Sequence, residues 1–129
     1  MSTFINDYAS NVIGGVSIRR AVTAVLDGAI VDLRYTDFGH HAILVTGALG
    51  DPDNTMDVVL EESDVSDFSD PADIDQVLAF DQVNLADQLQ VKSFTRKKGY
   101  VRARVADIQG TTQSVNPVTV YIAGQPSRT

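Results

Sequence analysis

Alternation with a period of two, cut at short intervals by Gly, Asp, Asn and Pro, most narrows what this chain can fold into. In "YVRARVADI", Val101, Ala103 and Val105 fall on one side of an extended backbone, and Tyr100, Arg102 and Arg104 on the other. The same logic marks residues 22–26, 30–35, 41–49, 56–63, 76–80, 89–94, 100–108 and 118–123 as strands. Turn chemistry bounds them: "LDGA", "TDFGH", "LGDPDN", "SDPAD", "RKKG", "QGTTQ", "NP" and "AGQP". Helical stripes are scarce. "DIDQVLAFDQVNLADQLQV" brings Ile74, Val77, Leu78, Leu85 and Leu89 near one, but strand, loop and strand with a short helical turn is the preferred reading. Many short strands with few helices predict an all-β fold, an antiparallel β-sandwich or jelly-roll-like domain of about seven to nine strands.

A chain of 129 residues, 43% hydrophobic and 21% charged, suits one domain that buries a core without staples. We divide it into an N-terminal arm, 1–20, and a sandwich, 21–129. In the arm, Phe4, Ile5, Tyr8, Val12 and Ile13 precede the Gly14–Gly15 pair, which reads as a flexible joint. That is more apolar surface than a solvated tail needs, so the arm is expected to dock on a neighbouring subunit. No cysteine is present, which excludes disulfides, thiolate metal sites and cysteine nucleophiles. No apolar run is long enough to cross a membrane as a helix, and "MSTFINDYASNVIGG" lacks the pattern of a secretory signal. A net charge of −7 disfavours nucleic acid as a partner.

The charges are segregated. Residues 51–87 hold twelve of the seventeen acids and no Lys or Arg, while residues 92–104 hold six of the ten bases. "RKKG" reads as a hairpin turn placing Arg96, Lys97 and Lys98 at a tip, with Arg102 and Arg104 on the outer face of the next strand. Solvated charge belongs there and discourages edge aggregation. The opposite charges can also pair two strands of one subunit, or join the acidic loop of one copy to the basic hairpin of another protein. We take Phe4, Ile5, Tyr8, Ile13, Arg96, Lys97, Lys98, Arg102 and Arg104 as candidate partner-binding residues.

Catalytic signals are weak. Asp51, Asp53, Thr55, Asp57 and Glu62 match an EF-hand count, but Met56 stands where Gly is needed and a strand follows instead of a helix. A looser, weak divalent-cation site among Asp64, Asp67, Asp70, Asp73 and Asp75 competes with a solvated acidic loop. His40 and His41 are adjacent, so on a strand they face opposite ways. They read as a turn residue and a half-buried strand residue, with no nucleophile at a telling spacing. Glu61 and Glu62 are likewise adjacent and make no acid–base pair by spacing. No phosphate-loop, dinucleotide, hydrolase or metalloprotease motif is present, and neither an enzyme nor a cofactor is expected.

The order of segments "GAIVDLRYTDFGHHAILVTGAL", "MDVVLEESDVSDFSD", "KKGYVRARV" and "NPVTVYIAGQPSR" resembles a family of small β-rich proteins from the head-gene modules of tailed bacteriophages. The likeness rests on Val31 to Leu33, on Leu60 to Asp64 with Phe68, on Tyr100 to Arg102 and on Gly124 to Pro126. It spans roughly residues 22–128 and leaves the arm outside. It implies a virion structural protein, made in the host bacterial cytoplasm: a capsid decoration (cement) protein on the major capsid protein, or else a head–tail connector or tail component. A homo-oligomer, with a trimer favoured, follows from that role. A glycan-binding or host-surface module is the rival from another class, poorly supplied by four Tyr, five Phe and no Trp.

Overall fold

The computed structural model describes residues 12–126. Among these the chain forms β1 (Ile13–Val22), β2 (Leu26–Asp32), β3 (Thr36–Leu49), β4 (Thr55–Ser63), β5 (Asp75–Ala79), β6 (Leu89–Ser93), β7 (Tyr100–Gln109) and β8 (Val115–Pro126), with one 3-10 turn at Pro71–Asp73. One sheet has the order β1-β8-β3-β6 and the other β2-β7-β4-β5, and every pairing is antiparallel. Each strand therefore lies beside its mirror image in chain order: β1 with β8, β2 with β7, β3 with β6, β4 with β5. This is the nested pairing of an eight-stranded jelly roll, a long hairpin rolled into two facing sheets.

Alternation decides what faces inward. Ala42 and Leu44 of β3 and Val118, Val120 and Ile122 of β8 meet Val58 and Leu60 of β4 and Val101, Ala103 and Val105 of β7. All are essentially inaccessible, and each Val, Leu or Ile so buried contributes roughly 1.5–3 kcal/mol. The expected facing of Val101, Ala103 and Val105 is the one observed.

Three expectations need correction. The segment 22–26 is not a strand but the end of β1, a turn at residues 23–25 and the start of β2, and the first strand lies upstream at Ile13–Val22. Residues 13–20 thus belong to the sandwich, paired with β8, and only residues before them remain for an arm. The Gly14–Gly15 pair is no joint: a Cβ at Gly14 would stand 2.8 Å from Ala123 Cα, so glycine is what lets β8 approach. Finally, "RKKG" closes no hairpin. β6 pairs with β3 in the first sheet and β7 with β2 and β4 in the second, so the segment crosses between sheets.

Candidate functional site

That crossover is held by its neighbours. Glu62, on the inward side of β4 and 3% exposed, accepts hydrogen bonds at Oε1 from the backbone N–H of Lys97 (2.8 Å) and Lys98 (3.2 Å). A buried carboxylate is tolerated because peptide donors meet it. The Arg96 guanidinium donates to the carbonyls of Thr36 (2.7 Å) and Arg34 (3.0 Å) and to Thr36 Oγ1 (3.1 Å). Lys98 Nζ lies 2.8 Å from Asp73 and 3.0 Å from Asp75. Hydrogen bonds from Lys98 and Ser63, then from the Asp64 amide, hold the Asp73 carboxyl down to about 2, and Asp73 with Asp75 holds the Lys98 ammonium well above its ordinary range.

The outer face of the second sheet carries the rest of the basic cluster. Arg102 reaches Glu61 Oε1 (3.2 Å) and Asp27 (3.7 Å), and Arg104 reaches Glu61 Oε2 (3.5 Å) and the same Asp27 (3.7 Å). Arg102 lies opposite Glu61 in the β4–β7 register, so strand pairing itself brings them together. Phe68 closes over Arg102, with the guanidinium carbon 4.3 Å from its ring centroid. Its backbone is held at φ 56°, an uncommon conformation for a bulky residue. An open groove of about 550 Å³ runs beside this cluster, lined in part by Val25, Leu26, Pro71 and Ile74. The segregated charges are thus largely spent within one subunit. Arg96, Lys98 and Arg102 are committed to internal partners, while Lys97 and Arg104 remain exposed.

The acidic loop is likewise engaged piece by piece. Asp73 Oδ2 accepts from Ser63 Oγ and the Asp64 amide, Asp64 from the Gly99 amide, Asp67 from the Ser69 amide, and Asp70 from the Ala72 amide. The Ser69 bonds hold the Asp67 carboxyl below its ordinary range. Among the described residues no three His, Cys, Asp or Glu side chains converge to hold a metal. At the EF-hand-like stretch, Asp53 caps Thr111 (2.8 Å) and β4 begins at Thr55. His40 is no turn residue. It is buried with Nε2 2.8 Å from Thr36 Oγ1 and its ring against Phe94, and burial, then Arg96, pushes its pKa down. His41 is the half-buried one, its Nδ1 3.1 Å from Gly39 O.

The outer face of the first sheet is of another character. Register places Val16, Tyr121, Ile43 and Val91 in one row across all four strands, and Arg19, Thr119, Val45 and Leu89 in the next. Leu89 is 67%, Val91 61% and Val45 42% exposed, and only Arg19, at the β1 margin, is charged. Leu85, 63% exposed, continues the apolar surface past the end of the sheet, where a groove of about 400 Å³ is lined by Ala48, Leu49 and Pro52. Exposed apolar area gathered on one sheet face, without charge at its centre, is the composition of a protein-contact surface.

Sequence reasoning missed this face. Its signal was there: "HAILVTG" and "VTVYIAG" are apolar on both sides of the strand, the pattern of a strand meant to be covered twice. Of the arm residues proposed for binding, Ile13 lies in β1, and Phe4, Ile5 and Tyr8 lie outside the described residues. Among the described residues no helix is long and apolar enough to cross a membrane. Comparison with family models, with curated proteins and with solved structures returns no match.

Proposed function

We propose that this chain is a virion structural protein, a decoration (cement) protein that binds the lattice of a bacteriophage major capsid protein and stabilises the assembled shell. The observation that carries the reading is the four-strand apolar face of the first sheet, a surface suited to being covered by protein. The jelly roll, a fold common in virus shells, is in keeping with it, as is the segmental resemblance to head-module proteins. Binding only the assembled form favours assembly by mass action, so a lattice clamp needs no reaction chemistry.

The test is to assemble shells from the major capsid protein of the parent phage and add the purified chain. Hundreds of copies in regular positions in a density map, with a raised melting temperature of the shell, are expected. A dozen or fewer copies at one vertex would move the chain to the connector, and absence from every particle would end the structural reading.

A further inference from the structure

We propose that the apolar outer face of the first sheet is where two copies of this chain meet, related by a two-fold axis that runs between the faces along the strands. The inference rests on reading the chain as a protein that works through surface contact: a second copy covers the face in the free protein, and the pair opens where a capsid lattice takes its place. Such an axis reverses strand order across the interface while keeping each row level with itself. Val16 of one copy then faces Val91 of the other, Tyr121 faces Ile43, and Thr119 faces Val45. The first row meets apolar partners along its whole length, as in aligned sheet packing, while in the second Arg19 faces Leu89 at the margin.

The charges at the margins agree with that operator. Arg19 sits at the β1 end of its row, opposite Thr119 in the register. Asp87 is exposed at the other margin, just before Leu89, its backbone N–H donating to Gly47 O at 3.0 Å. Among the described residues neither Arg19 nor Asp87 has an ion pair. Rotation about the proposed axis brings Arg19 of each copy to the margin that carries Asp87 of the other, once at each side. Four strands about 4.8 Å apart and a length of roughly 20 Å give a face of about 400 Å² per copy, to which the Leu85 margin adds. Specific interfaces bury about 800 Å² per partner, so the pair is expected to be reversible, with a dissociation constant on the order of micromolar.

Sedimentation of the isolated chain over a concentration series tests this without any capsid, so its failure and that of the decoration reading are told apart. Expected is a concentration-dependent species of twice the 13.9 kDa chain mass. Val91→Asp, at a solvent-facing position whose substitution spares the core, should abolish it while the far-ultraviolet spectrum and melting temperature hold. Arg19→Asp should weaken it on the order of tenfold, and Arg19→Asp with Asp87→Arg should restore it. A monomer at every concentration, a threefold mass, a dimer indifferent to Val91→Asp, or no rescue by the charge swap would each overturn the proposal. So would dimerisation that appears only after residues 1–11 are removed, because the chain's own N-terminal segment would then be the cover.

Discussion

Asn54 shows how much a single side chain can hold. It is 1% exposed, its Oδ1 accepts from the Asp51 amide (2.9 Å), and its Nδ2 donates to the carbonyls of Gln109 (3.1 Å) and Thr112 (2.7 Å). It thereby ties the β3–β4 turn to the β7–β8 turn, close to Gly110, whose φ of +128° only glycine adopts readily. Asn54→Ala strands three backbone groups in a site with little access to water. The expected loss is about 2–4 kcal/mol, read as a lower urea midpoint at unchanged slope. Asn54→Asp keeps the acceptor but sets a buried carboxylate oxygen against the carbonyls of Gln109 and Thr112, and should cost at least as much. In the sequence "DPDNT" announces a turn, but nothing local says that its Asn answers carbonyls more than fifty residues away.

Among the elements, the crossover between β6 and β7 makes the sharpest prediction. Lys98 and Asp73 join it to the acidic loop, and the folded Asp73 carboxyl titrates near 2 against an ordinary 3.8. A carboxyl lowered by folding adds stability that is fully present above its unfolded value and disappears as pH falls through the folded one. Melting temperature should therefore drop as pH goes from about 4 to about 2. Asp73→Asn should be less stable at pH 7 and show a shallower acid limb; an unchanged limb would assign the acid sensitivity elsewhere. Strand content was largely readable, since β4, β5, β6 and β7 lie within a residue or so of where alternation puts them. β1 was not: two glycines and a bulge between Val16 and Ile18 break the alternation that would have announced it. The partners of the basic residues were unreadable too, because "RKKG" has the composition of a hairpin turn and only the nested pairing sends it across the sandwich.

For the molecule as a whole, nested pairing makes the first and last strands interdependent. β8 lies between β1 and β3, and β1 adds Ile18 and Val22 to the core. Deleting residues 1–20 removes most of β1 and bares one side of β8. The expected result is loss of cooperative thermal unfolding, measured by circular dichroism, and not a trimmed but intact domain. The candidate surface belongs to this scale as well. Ile43, Val45, Leu89, Val91 and Tyr121 are scattered through the sequence, and only strand order makes them neighbours.

The pairing of Ile13 with Gly124 has a practical corollary. The described stretch starts and stops at the same rim of one sheet, because the first residues of β1 lie beside the last residues of β8. In a chain trimmed to residues 12–126, a brief tether across that rim would turn the backbone into a closed ring without cutting a strand.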